Sequence, residues 1–135
     1  MKRRIALTLC SLLATFAVVA HADEADLKTA MKTAGGTSGK LRKGIEAKAF
    51  ADVAKDAATL QGAFKQMEDY FAAAGTADAV KWSQDGGAAA GELAKAAAAE
   101  NADGVTTSLK AAGATCGACH TAHREKLADG SYKIK

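Results

Sequence analysis

Proline is absent from the chain, and aromatic residues are few: one Trp, two Tyr and four Phe among 135 residues. Nothing therefore breaks helix by ring closure, and the abundant alanine favours helix throughout. A basic excess is also missing once the first 22 residues are set aside. The full chain carries 18 Lys and Arg against 15 Asp and Glu, and Lys2, Arg3 and Arg4 account for the surplus. Residues 23–135 hold 15 of each and are formally neutral. No basic patch supports nucleic-acid binding. The acid–base pair or nucleophile of an enzyme is lacking too, so no catalytic residue is assigned. Cysteine is scarce, with Cys10, Cys116 and Cys119 alone.

The first 22 residues form their own unit. Lys2, Arg3 and Arg4 precede an apolar run from Ile5 to Ala20, and Ala20-His21-Ala22 follows. Basic start, apolar run and small-x-small site make a secretory signal peptide, cleaved after Ala22. The run is too short to span a bilayer, so no membrane anchor is expected. Cys10 is no lipoprotein site, because Leu9 stands where a small residue is needed, and it leaves with the signal. The expected product is one periplasmic domain, residues 23–135.

Cys116-Gly117-Ala118-Cys119-His120 carries the chemistry. C-x-x-C-H is the pattern of covalent haem attachment. On one helix, residues three apart share a face, so Cys116 and Cys119 can each form a thioether to a haem vinyl group. His120 follows directly and can give its imidazole to iron as the proximal ligand. Other readings exist for two cysteines in an exported chain: a disulfide, a redox dithiol, or zinc bound with His120 and His123. Four ligands within eight residues of one helix cannot surround a tetrahedral ion, and no second C-x-x-C is present.

Periodicity divides the rest into four amphipathic segments. The first carries Leu27, Met31, Ala34, Ser38, Leu41 and Ile45, running through a glycine-rich middle at 35–39 and ending near Gly44. The small residues there leave room for a neighbouring backbone or a haem face. The second carries Phe50, Val53, Ala57, Leu60, Phe64, Met67 and Phe71, and Gly75 closes it. The third spans about 78–100 with Trp82, Gly86, Ala89, Leu93 and Ala96 in register. Residues 101–104 read as a turn with Asp103 as N-cap. The fourth carries Val105, Leu109, Ala112, Cys116, Cys119, His123 and Leu127, and 129–135 read as a frayed tail. Four such helices with short connections predict an all-α, antiparallel up-down-up-down bundle.

The chain resembles the cytochrome c′ family, the four-helix-bundle class II c-type cytochromes. The likeness covers residues 23–127. It rests on Cys116-x-x-Cys119-His120 close to the C-terminus, Arg124 four residues after the histidine, Met31-Lys32-x-x-Gly35, the Lys43-Gly44 exit and Trp82. The chain departs by placing His123 where the family commonly has Phe or Tyr, and by lacking an arginine before Met31. The resemblance implies one covalent haem c and two classes of member. In one, a methionine of the first helix fills the sixth iron position and the protein carries electrons between redox partner proteins. In the other, that position is vacant and binds nitric oxide or carbon monoxide. Met31 is the expected distal ligand on this likeness, since a thioether suits iron; from its stripe alone it also reads as core. Arg124 is expected near the proximal face or haem edge, or else as a solvated charge at a helix C-terminus. Family members often dimerise through their first two helices, though no stripe here is surplus to the core. Met67 reads as core, His123 as a haem-edge or surface group, and Lys40, Arg42 and Lys43 as a solvated basic cluster or a contact for an acidic partner. Electron transfer is the first expectation and gas binding the alternative.

Overall fold

Asp23 opens the first helix with a reciprocal cap. Its carboxylate accepts the backbone N–H of Asp26 at 2.8 Å, and the Asp26 carboxylate accepts that of Asp23 at 3.4 Å. Two orphan donors of α1, Glu24–Glu46, are thereby satisfied. Helices α2, Phe50–Ala73, α3, Ala77–Ala98, and α4, Ala102–His123, follow, and the chain closes with strands β1, Arg124–Lys126, and β2, Tyr132–Ile134. The computed structural model describes residues 23–135; the signal peptide read over 1–22, with Cys10 and the cleavage site, lies outside the described residues.

All three connections between helices are three residues long and use one device. After α1, the N–H of Ala49 donates to the Gly44 carbonyl at 2.8 Å and that of Lys48 to Ile45 at 3.0 Å. After α2, Thr76 donates to Phe71 at 2.9 Å and Gly75 to Ala72 at 3.2 Å; after α3, Asn101 donates to Ala96 at 2.9 Å and Glu100 to Ala97 at 3.0 Å. Each is a Schellman motif, which needs a left-handed residue. Lys48, Gly75 and Glu100 supply it at φ of 55°, 72° and 52°. Gly75 closes α2 as its position suggested. Gly44 does not close α1, which runs on to Glu46. A Cβ on Gly44 would meet Val53 Cγ2 at 2.8 Å, so this glycine serves the close approach of α1 to α2.

The second stripe is core as read: Val53, Ala57, Leu60, Phe64, Met67 and Phe71 are buried and Phe50 packs at the edge. In α1, Leu27, Ala30, Ala34, Thr37 and Leu41 are innermost, while Met31, Ser38 and Ile45 are half-buried beside them. The glycine-rich middle stays helical. In α3 the buried line is Ala79, Ser83, Gly86, Ala90, Leu93 and Ala97, which turns the helix slightly from the expected face. Trp82, Ala89 and Ala96 flank that line, half-buried. Gly86 shows why: a Cβ there would lie 2.3–2.7 Å from three carbons of the Phe64 ring. Phe64 occupies the space that glycine vacates, and this locks α2 to α3.

Helix α4 starts earlier than expected and stops earlier too. Asn101, not Asp103, is the N-cap, its side chain accepting the Gly104 N–H at 2.9 Å. At Arg124 the backbone turns extended, and residues 124–126 pair antiparallel with 132–134, Glu125 opposite Lys133. The expected frayed tail is thus a hairpin, and Leu127 lies in it, exposed, instead of extending the helical stripe. The hairpin holds because Ile134 packs on the core, Lys135 donates its N–H to the His123 carbonyl at 2.9 Å, and Asp129 takes both Ser131 donors in the turn. Helices α1 and α2, α2 and α3, and α3 and α4 pack along extended faces, whereas α1 and α4 touch only briefly. Among the described residues no helix is long and apolar enough to cross a membrane.

Candidate functional site

The brief contact between α1 and α4 leaves a cavity of about 240 Å³. Helix α1 lines it with Met31, Ala34, Gly35, Ser38 and Arg42; α2 with Phe64, Met67 and Phe71; α3 with Trp82 and Ser83; α4 with Gly113, Thr115, Cys116, Cys119 and His120. Its walls are mostly apolar and aromatic. A Cβ added at Gly35 or Gly113 would meet nothing within 4 Å, so both glycines leave width where the helices face each other. The polar hydroxyl of Ser38 is spent within its own helix, donating to the Ala34 carbonyl at 2.8 Å, and Ser83 does the same to Ala79 at 2.8 Å.

Cys116, half-buried, and Cys119, buried, are both free thiols. Burial pushes the Cys116 thiol up, against weaker opposition from a Thr115 hydrogen bond. Burial likewise raises Cys119, and the negative charge of Asp78 adds to it. Neither is the low-pKa thiolate of a redox dithiol. Burial lowers His120, and the nearby Arg124 guanidinium lowers it further, so its ring favours the neutral form with a lone pair to offer. Two thiols and one imidazole from a single turn of α4 thus reach one apolar cavity, and Met31 lines it from α1. Among the described residues no three His, Cys, Asp or Glu side chains gather closely enough to hold a metal ion.

Arg124 and His123 lie outside the cavity lining. The Arg124 guanidinium stacks on the Tyr132 ring, 4.0 Å from the centroid, and it acts on His120 through its charge. His123 stands behind the lining, its ring centroid 6.3 Å from that of Phe71 and 6.0 Å from that of Trp82. Its Nε2 reaches the Asp78 carboxylate at 2.9 and 3.0 Å, and since a carboxylate only accepts, the ring donates. Arg42 is exposed, as read with Lys40 and Lys43, and it also lines the cavity. The clue lay in its phase: Met31, Gly35, Ser38 and Arg42 follow steps of four and three along one face of α1. Comparison with known proteins finds no matching family model, no matching curated protein and no matching solved structure.

Proposed function

We propose that the chain is a periplasmic mono-haem c-type cytochrome that transfers electrons, exported by residues 1–22 and folded as an antiparallel up-down-up-down bundle. One observation carries this reading: Cys116, Cys119 and His120, in the spacing of covalent haem attachment, line a single apolar cavity. The bundle topology is supported by three connections too short for a crossover. When bound, a haem supplies an iron that takes up and releases one electron.

The chain's own residues divide the remaining work. The two thiols, raised by burial, would hold a haem through thioethers to its vinyl groups. His120, favoured neutral, holds its lone pair ready as proximal donor. Met31 lines the cavity from the other helix of the seam and would offer a thioether donor, and an iron that kept both donors through its redox change would suit electron transfer. Phe64, Met67, Phe71 and Trp82 exclude water, which disfavours side chemistry at the site. The resemblance to cytochrome c′ adds weight to the same reading and contributes its alternative, a vacant distal position open to diatomic gases.

The deciding experiment is the optical spectrum of the full chain exported by a host that matures c-type cytochromes, oxidised, reduced and with carbon monoxide. A low-spin spectrum insensitive to carbon monoxide is expected. A high-spin spectrum that responds to carbon monoxide replaces electron transfer with gas binding, and a product without haem overturns both.

A further inference from the structure

The seam between α1 and α4 continues past the thiols. The cavity shares Arg42 and Gly113 with a second hollow, whose other walls include Ile45, Glu46, Leu109 and Lys110. The thiols lie toward one end of this run and two cations toward the other, with Lys110 nearly two helical turns before Cys116.

We propose that Arg42, with Lys110 on the facing helix, is an anion site that takes the carboxylates of the haem attached at Cys116 and Cys119, an inference that rests on the haem reading above. Among the described residues, Arg42 is the one permanently charged side chain in the cavity lining; α2 and α3 contribute only uncharged groups there, and His120 is favoured neutral. Among the described residues neither Arg42 nor Lys110 forms an ion pair. Glu46 lies four residues beyond Arg42 and lines the same hollow, a spacing that permits pairing on a helix, yet the two do not pair. The charged groups facing this mouth are therefore Arg42 and Glu46 from α1 and Lys110 from α4.

The ligand chemistry follows from the arrangement. An apolar body fits against Phe64, Met67 and Phe71, and an acidic edge meets the cations at the mouth. Haem carries its two carboxylates on the edge away from its vinyl groups, so a haem anchored at the thiols would leave its acids for the residues at the other end of the seam. A guanidinium is the better receiver there, because its planar fork donates two parallel N–H groups to a carboxylate. Arg124, the other arginine near the site, stacks on Tyr132 outside the lining.

The test uses the full chain matured in a periplasm, as wild type, Arg42→Gln, Arg42→Lys, Lys110→Gln and, as a control at an exposed lysine outside the seam, Lys43→Gln. Covalent haem is first confirmed by mass and by its pyridine complex. The midpoint potential is then followed from about pH 4 to pH 9, where a haem carboxylate titrates and bends the profile. A neighbouring arginine holds a carboxylate ionised to lower pH, so Arg42→Gln should move the bend upward by about one pH unit or more. Lys110→Gln should move it less, Arg42→Lys, which keeps the charge but not the fork, should move it less than Arg42→Gln, and Lys43→Gln should not move it. Should Arg42→Gln fail to mature, Lys110→Gln alone must still shift the bend for the proposal to stand. Superimposable profiles from haem-bearing wild type and variants overturn the anion site and leave the haem reading intact. A wild-type chain without haem overturns both.

Discussion

His123 Nε2 sits 2.9 and 3.0 Å from the two carboxylate oxygens of Asp78, tying the last turn of α4 to the first turn of α3. That last turn also holds His120, so the link steadies the helix end that carries the proposed iron donor. Burial alone would raise the Asp78 carboxyl, but the His123 ring and the Ala79 N–H, donating to it, outweigh this and hold it below the ordinary carboxylate value. A depressed carboxyl contributes stability above its unfolded pKa, about 3.9, and loses it as pH falls through the folded value. Thermal melts should therefore show wild type more stable than Asp78→Asn at neutral pH. The gap should narrow as pH drops below about 4. A constant gap across that range would show that the ionised carboxylate is not what Asp78 contributes.

If haem is attached through both thiols, it resists extraction. In wild type it should stay with the polypeptide through acid–acetone treatment and denaturing electrophoresis. Cys116→Ser and Cys119→Ser should each leave one thioether, and the double variant should yield apoprotein or extractable haem. Haem lost as readily from wild type as from the double variant would contradict covalent attachment.

Met31 lines the cavity from α1 while His120 lines it from α4. If Met31 is the distal donor, Met31→Ala should turn a protein inert to carbon monoxide into one that binds it. The methionine-to-iron charge-transfer band of the oxidised protein should vanish with it. Wild type that already takes up carbon monoxide would return Met31 to the core.

Gly86 and Phe64 interlock, and their coupling is measurable. Gly86→Ala places a methyl within 2.3–2.7 Å of ring carbons and should cost about 1–3 kcal/mol of stability. Phe64→Ala should cost about 3–5 kcal/mol by leaving a cavity. In a Phe64→Leu background the penalty of Gly86→Ala should shrink markedly, because the clashing edge is gone. Denaturant titration of the four proteins of that cycle gives the coupling, and strict additivity would mean the ring does not occupy that space.

Glu100 and Lys48 hold left-handed backbone at φ of 52° and 55°, where a Cβ is strained. Glycine removes the strain at a smaller entropic cost. Glu100→Gly should thus stabilise the protein by up to about 1 kcal/mol, read as a rise in melting temperature. A fall would show that the left-handed conformer at Glu100 is not populated.

Much was legible in the residues alone. The four helices follow from a 3.6-residue periodicity and absent proline, and the spacing of Cys116, Cys119 and His120 put all three on one stretch of α4, where they line one cavity. The second stripe was legible because large side chains mark it: Val53, Leu60, Phe64, Met67 and Phe71 are all buried, while the small Ala63 joins the core unread. The phase of α3 was not. Where nearly every position is alanine or glycine, hydrophobicity hardly varies around the helix, so local pattern cannot say which line goes inward. The Phe64 ring decides it by needing the space at Gly86. The closing hairpin had its local cue in Asp129-Gly130 before Tyr132 and Ile134. A hairpin so short needs outside support, here Ile134 on the core and the His123 carbonyl, and that is a property of the assembled chain.

Arg42 and Arg124 show the same division. Sequence determined that both are permanent cations, one in α1 and one four residues after His120. Only tertiary structure decided which of them borders the cavity. The shallow meeting of α1 with α4 opens the seam at Arg42, while the turn out of helix at residue 124 carries the other guanidinium onto Tyr132. Charge is a covalent property that each residue keeps anywhere; what it faces depends on how distant helices pack, and no local spacing encodes that.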